Sequence, residues 1–402
     1  PGNDGATAMI RGVGTLSNTV SLVLIDGIIG NIDEVNPYDV ESITILKDAS
    51  TAAIYGALSS NGVILVTTKK PGNKRPVVSY TGMISRTRPN NLVRTVSDMP
   101  TYMTYLNEAN QNIGNAAPFS QTLIDQWRHA SQYPDSLTPQ GIPFHIAYPN
   151  TDWAKALIRS QRLQNHNISL KGGSKDLKYF FSLGYLDNQG LIVNSGMKRY
   201  LFRANAEARI AKGITIGTHT FGGTHDLGMA GITELFWYLG RASPGTYPDR
   251  YQGVFAAPSL ASDFSSNLGA FPYLALGSDR IANFNTTWYG KAFLLPNLSF
   301  EPRVNYQAGF EKMNGRIDPS TTERWNWLTN RLVEPAMTAD QLNVYATYQK
   351  NYTYTLEGLL RYHTSIRQKH HIEFFLGYNE NYNKFYTSSS SKLASADIND
   401  YN

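Results

Sequence analysis

The stretch LSFEPRVNYQAGFE, residues 298–311, decides how the rest of the chain is read. One set of alternate positions holds Leu298, Phe300, Pro302, Val304, Tyr306, Ala308 and Phe310. The other holds Ser299, Glu301, Arg303, Asn305, Gln307, Gly309 and Glu311. Successive side chains of a strand point to opposite faces, so a strand here has one apolar face and one face that carries every charge. The alternation is unbroken for 14 residues. Strands of soluble sheets run to ~5–6 residues, whereas a tilted strand that crosses a bilayer needs ~9–11.

The pattern recurs. In RYLFRANAEARI (199–210), Tyr200, Phe202, Ala204, Ala206, Ala208 and Ile210 oppose Leu201, Arg203, Asn205, Glu207 and Arg209. In YTYTLEGLLRYH (352–363), Tyr352, Tyr354, Leu356, Leu360 and Tyr362 oppose Thr353, Thr355, Glu357, Arg361 and His363. Nine strands are expected, at 76–87, 163–173, 177–188, 198–211, 213–225, 284–295, 297–312, 351–366 and 370–386. The links GSKDL, AKG, LPN and RQKH are tight. Those at 88–162, 226–283 and 313–350 are long, and the one at 189–197 is short. Tight turns at one end and long loops at the other characterise a transmembrane β-barrel, and tyrosines near strand ends suit its aromatic girdles. A soluble β-sandwich is the competing architecture, but it does not segregate its loops in this way.

Composition agrees. Aromatic residues make up 12% of the 402 residues, with 25 Tyr, and apolar residues only 41%, as expected of a chain whose surfaces face two solvents. The net charge of +5 is dispersed, so no nucleic-acid partner is expected. With no cysteine, disulfides, thiolate metal sites and a cysteine nucleophile are excluded. No run approaches 18 apolar residues, so no transmembrane helix is expected. The ends PGNDGATAMIRG and SADINDYN read as those of a piece of a longer protein.

Residues 1–72 form a different unit, of α/β pattern. TAMIRGVG and SLVLIDGI read as strands, VESITIL as a third, KDASTAAIYGAL as a short helix capped by Asp48 and Ser50, and GVILVTTKK as a fourth strand. KKPGNKRP then reads as a polar hinge before the barrel part, 73–402. A wide barrel needs its lumen blocked, and a compact unit ahead of the first strand is in the right place to do so.

The run VLIDGI, then VNPYDVESITILKDASTAAIYGALSSNGVILVTTKK, with IRG before it, resembles the plug of TonB-dependent receptors. Lys47-Asp48-Ala49-Ser50 and Asn61-Gly62-Val63-Ile64 resemble the SusC/RagA subfamily in particular. Residues 151–210 are similar to that family's second to fourth strands, GRASPGTYPDRYQGVF to its third loop, and RQKHHIEFFLGYNENY to a later hairpin. The resemblance implies an all-β barrel of about 22 antiparallel strands, of which about nine are present, behind a small α/β plug. It also implies nutrient import across the outer membrane under a SusD-like surface lipoprotein, driven by the TonB–ExbB–ExbD complex, with a glycan or peptide ligand and the lipid bilayer as partners. The family's signal peptide, N-terminal accessory domain and energy-coupling box are not in the sequence. A TonB-dependent signalling receptor and a soluble carbohydrate-binding β-sandwich are the alternatives.

No catalytic constellation is evident, so no enzyme, cofactor or metal is expected. His166, His219 and His225 lack metal-ligand spacing, Asp26-Gly27 and Asn61-Gly62 are turn dipeptides, and Gly12-Val13-Gly14 lacks the third glycine of a dinucleotide loop. The resemblance makes Arg11 and Lys47 candidate plug cations that face the barrel wall, with Glu207, Glu301, Glu357 and Glu373 as candidate acids opposite; solvated surface charges are the alternative for both, and the favoured reading for Lys47. Trp237, Tyr238, Tyr247, Tyr251, Trp325 and Trp327, with Phe236, are candidate ligand-stacking or lid-packing residues in the third and fourth loops. Each can equally fill a loop's own small core.

Overall fold

The computed structural model describes residues 21–47, 61–229, 232–257, 267–317, 324–326, 329–333, 343–366 and 370–393, apart from 73, 91 and 93. The expected strand at TAMIRGVG and the expected helix after Lys47 lie outside these residues.

The N-terminal unit is a four-stranded mixed sheet. Its strands are β1 (Leu22–Ile25), β2 (Ile28–Ile29), β3 (Val40–Leu46) and β4 (Val63–Thr68), in the order β2-β1-β4-β3. Asp26 and Gly27 join β1 to β2 with φ of 50° and 88°. This is the left-handed geometry that an Asp-Gly hairpin turn requires. β1 runs parallel to β4 and β3 antiparallel to it. Between β2 and β3, Asn31 and Asn36 each accept a backbone N–H two residues on, at 3.0 and 3.1 Å. These side-chain caps fold 31–39 into two helical turns, which carry Asn36 and Asp39 out toward the second unit.

That unit is a nine-stranded antiparallel meander. Its strands are β5 (Val77–Thr87), β6 (Gln161–Gly173), β7 (Leu177–Gln189), β8 (Gly196–Ala211), β9 (Ile214–Met229), β12 (Ala275–Leu295), β13 (Leu298–Ile317), β16 (Asn343–Ile366) and β17 (His370–Leu393). All nine expected strands are present. Several run further toward the long loops than the alternation reached, because ladder pairing continues where neither face needs to be apolar: β16 and β17 stay paired out to Asn343 and Leu393.

The two faces segregate as the pattern requires. On β13, Phe300, Val304 and Phe310 are exposed on the outer face, while the Gln307 amide on the inner face donates to the Ile29 carbonyl of the first unit at 3.1 Å. Asn305 is fully buried in the wall, its Nδ2 2.9 Å from Asn285 Oδ1 and 2.8 Å from Thr287 Oγ1. It is therefore a ladder-side polar tie and not an open lumen position.

The long loops build a cap that the strand pattern could not disclose. It contains α1 (Met99–Asn112), α2 (Gln121–Gln132), α3 (Phe144–Ala147), α4 (Trp153–Leu157), α5 (Ile232–Leu239) and α6 (Phe271–Leu274). It also holds a small sheet of β10 (Arg250–Tyr251), β11 (Val254–Ala256), β14 (Arg324–Asn326) and β15 (Arg331–Val333). Asp98 and Ser120 cap α1 and α2 by accepting the N–H groups of Thr101 and Leu123. Trp153, Leu157, Ile192, Leu235, Leu239, Leu268 and Phe271 form one core of the cap, and Met99, Met103, Phe119, Ile124 and Trp127 another.

Val304→Arg places a charge on the outer apolar face and is expected to cost about 2–4 kcal/mol of wall stability. Gln349→Arg, on the inner face and paired across the ladder with Glu311, is expected to cost little. Heat-modifiability of the full-length protein in detergent reads both, and equal effects would mean that the faces do not meet different solvents.

Candidate functional site

The chemistry of this chain concentrates where the small sheet meets the inner face of the wall. Ladder register sets Ser182 (β7), Arg203 (β8), Phe221 (β9), Asn285 (β12) and Gln307 (β13) in one transverse row. Phe221 packs with Ile25, Val35, Ile64 and Val66, so the apolar side of the plug sheet is closed by a wall residue. Arg203, 2% exposed, is the polar centre. Its Nη1 lies 3.4 Å from Asp26 Oδ2 and 3.3 Å from Thr68 Oγ1, its Nε lies 3.7 Å from Asp39 Oδ2, and its guanidinium stacks on the Phe221 ring at 4.7 Å.

Each plug acid has a local reason for its place. Asp26 sits in the hairpin turn, where its two carboxylate oxygens accept the Thr68 N–H at 2.9 Å and the Thr68 hydroxyl at 2.7 Å. The turn is thereby tied to the end of β4, with the carboxylate presented to Arg203. Asp39 ends the second capped turn and accepts the Ser182 hydroxyl. Burial pushes the Asp39 carboxyl above its ordinary range, opposed by that hydrogen bond and by the charges of Arg203 and Lys69.

A second transverse row, Asn167, Gly184, Leu201, Gly223 and Asn283, extends the seam. Asn36 donates to Asn167 Oδ1 at 2.8 Å. A Cβ at Gly184 would lie 2.3 Å from Asn36 Nδ2, so this wall position must be glycine for the asparagine to approach. Asn283 hydrogen-bonds Glu34, whose carboxyl burial also pushes up. Further contacts run from Arg199 to the Asp33 carbonyl at 3.3 Å and from Asn205 to the Lys69 carbonyl at 3.4 Å.

The charge arrangement differs from the one expected from the sequence. The buried cation belongs to the wall and the acids to the plug. The four expected wall acids pair within the wall: Glu207 with Lys178 at 2.7 Å, Glu301 with Lys291 at 2.6 Å, Glu357 with Arg303 at 3.3 Å and Glu373 with Arg361. Lys47 is exposed at the end of β3, and Arg11 lies outside the described residues. Arg203 stands on the inner face of an amphipathic strand, and Asp26 in a turn dipeptide. Their inner-face and turn positions were legible, but their pairing was not, because it joins residues 177 positions apart.

The loop aromatics divide. Trp237 is 60% exposed on α5, beside Phe236 and under the Arg241 guanidinium at 3.7 Å. Tyr238 turns inward against Phe271. Tyr247, Tyr251 and Trp325 pack around Ile142, Ile146, Ala147 and Ala256. Trp327 lies outside the described residues.

A nine-stranded two-faced wall with an α/β-derived sheet sealed to its inner face by a buried ion pair defines a plugged β-barrel of receptor type. The TonB-dependent receptor plug domain family matches residues 1–63. The chain is 32% identical over 213 residues to the TonB-dependent receptor SusC of Bacteroides thetaiotaomicron, covering 50% of this chain and 18% of that protein. It is 27% identical over 384 residues to the TonB-dependent receptor P39 of Formosa agariphila, covering 94% and 33%. The RagAB peptide importer in its open-open state superposes with a TM-score of 0.69 at 18% identity, over 98% of this chain and 44% of that one, a likeness of fold. The chain thus spans a third or less of the length of these curated relatives. Its N-terminal part matches the plug of TonB-dependent receptors, and the chain as a whole is similar to TonB-dependent receptors of the SusC type.

Arg203→Met in the full-length protein leaves Asp26 buried without its cation, and plug docking is expected to weaken by about 3 kcal/mol. Adding Asp26→Asn is expected to restore part of it, and hydrogen exchange of the β4 amides measures both. Because docking raises the Asp39 pKa, docking is strongest below the ordinary aspartate range and weakens as pH rises through the docked value. Asp39→Asn is expected to flatten this dependence, and an unchanged slope would remove Asp39 from the seam.

Proposed function

We propose that the chain supplies the plug (residues 1–72) and nine barrel strands (73–402) of an outer-membrane transporter. It takes up a nutrient, an oligosaccharide or a peptide, beneath a SusD-like surface lipoprotein, with energy from TonB–ExbB–ExbD. The observation that carries this reading is the seam itself. The plug is held on the inner face by a few buried polar contacts centred on Arg203, and it has its own small core of Leu24 and Val63 with Leu22, Leu46 and Leu65 packed around them. Such a unit can leave the wall without either part unfolding, because the bonds that break are between them and not within them. The similarity to SusC supports the TonB-dependent uptake, and the fold shared with a peptide importer supports a peptide among the substrate classes.

Within the loop cap, Trp237 is the foremost ligand or lid contact, since its exposed indole is already stiffened by Arg241. Tyr238, Tyr247, Tyr251 and Trp325 support the cap from within and shape its surface, and Trp327 completes the candidate set. Arg11 and Lys47 remain proposed plug–barrel contacts.

The test uses the full-length protein in planar bilayers. Arg203→Met with Asp39→Asn is expected to raise single-channel conductance while heat-modifiability stays that of the parent. Unaltered conductance with weakened docking would sink the gating role. Trp237→Ala is expected to lower affinity for the ligand or lipoprotein by about 1–2 kcal/mol, read by calorimetry against oligosaccharide, peptide and lipoprotein in turn.

A further inference from the structure

The outer face of the wall is not uniform. Two transverse ridges cross β6 to β13. One is Ile168, Leu183, Phe202 and Phe284; the other, one step nearer the long loops, is His166, Tyr185, Tyr200 and Phe310. Along them runs an apolar groove with a volume of about 670 Å³, which opens at Ala282, where the second ridge has only a methyl group on β12. It extends from Tyr80 on β5 to Phe310 on β13. Seven strands, six spacings of ~4.8 Å, make it roughly 29 Å long, enough for an extended acyl chain.

One end of the groove is polar. His166 lies in the outer-face ridge, stacked between Tyr80 and Tyr185, with Nδ1 2.8 Å from the Tyr80 hydroxyl. Among the described residues its other ring nitrogen has no hydrogen-bond partner. An ionisable ring on a face that meets hydrocarbon is costly unless something polar meets it. Beyond the second ridge, toward the long loops, the same face carries Arg86, Arg162, Lys198, Arg280 and Lys312; Asp187 lies 3.8 Å from Arg162 and Asp226 2.8 Å from Arg280, which leaves an excess of three cations among these described residues. The apolar band thus ends in a cation-rich edge directly above the groove.

We propose that this groove seats one anionic membrane lipid, with a tail along the ridges and its phosphate held by His166 and the Arg86–Arg162–Lys198 edge. The proposal rests on the membrane-barrel reading above. The apolar trough fits hydrocarbon, the excess of cations fits a phosphate, and the Tyr–His–Tyr stack lies at the junction, where an ester or phosphate oxygen accepts the imidazole N–H.

Native mass spectrometry of the full-length protein, released from detergent after exchange against phosphatidylglycerol or phosphatidylcholine, tests it. The parent protein is expected to keep one phosphatidylglycerol, with a preference of about tenfold over phosphatidylcholine. Ala282→Trp fills the trough and is expected to lose the retained lipid. His166→Phe is expected to keep lipid but lose the preference. Equal retention by parent and Ala282→Trp, or no preference in the parent, would mean general annular lipid only and overturn the proposal. A dimeric parent that becomes monomeric on Ala282→Trp with no lipid lost would assign the groove to a second copy and also overturn it. Unchanged heat-modifiability and bilayer insertion in the same samples separates failure of the lipid site from failure of the membrane reading.

Discussion

The register of the antiparallel ladder is the constraint on which the rest of this structure depends. A slip of one residue in any strand would turn every side chain of that strand to the opposite face. On β8 such a slip would carry Arg203 from the plug to the outer surface, and Tyr200 and Phe202 from the outer surface to the plug. Because the ladder from β5 to β17 is continuous, Ser182, Arg203, Phe221, Asn285 and Gln307 fall in one row although they come from five strands spread over more than a hundred residues. Backbone pairing supplies the precision; the side chains only need to be of the right kind at the right parity. The same pairing satisfies the backbone N–H and C=O groups without recourse to solvent.

The seam between plug and wall has a division of labour that follows from this. Phe221 and the plug residues Ile25, Val35, Ile64 and Val66 supply apolar contact, which is non-directional and would hold the plug at many positions. Arg203, Asn167 and Ser182 supply directional contacts to Asp26, Asn36 and Asp39, which select one position. Buried ion pairs contribute little net stability when intact, but breaking one by removing a partner costs a great deal. A contact with that asymmetry selects one docked position while adding little net stability. The glycine at 184 marks how closely the two surfaces approach, since any Cβ there would strike Asn36.

Much of the wall was legible from the sequence. The alternation in 199–210, 298–311 and 352–363 assigns faces correctly because a period of two admits only one geometric reading over such lengths. The Asp26-Gly27 turn was legible for the same local reason, since its left-handed backbone suits few other residues. The helices of the cap were not read. The caps Asp98 and Ser120 lie inside a segment that strand counting treats as a loop, where α1 and α2 pack on one another, whereas α4 packs on residues more than a hundred positions away, as Trp153 does on Leu268 and Phe271. The loop aromatics were visible as a set, but their orientation was not. Nothing local distinguishes Trp237, which faces out, from Tyr238, which faces in, beyond the turn of one residue on a helix.

By itself, then, the sequence determined the nine strands of the wall, the two faces of each and the strands that follow one another in the N-terminal unit at Val40–Leu46 and Val63–Thr68, because each follows from short-range steric and solvation rules. Only the tertiary structure decided which charges meet. The sequence places a cation at 203 and acids at 26, 39, 207, 301 and 357 on surfaces able to face one another, and charge alone permits many pairings. The wall acids take cations from neighbouring strands, because adjacent strands lie within side-chain reach wherever the ladder brings them. Arg203 has no acid directly across its ladder: its neighbours in the row are Ser182 and Phe221. Its carboxylates come from the plug, whose shape and small core hold Asp26 and Asp39 in place.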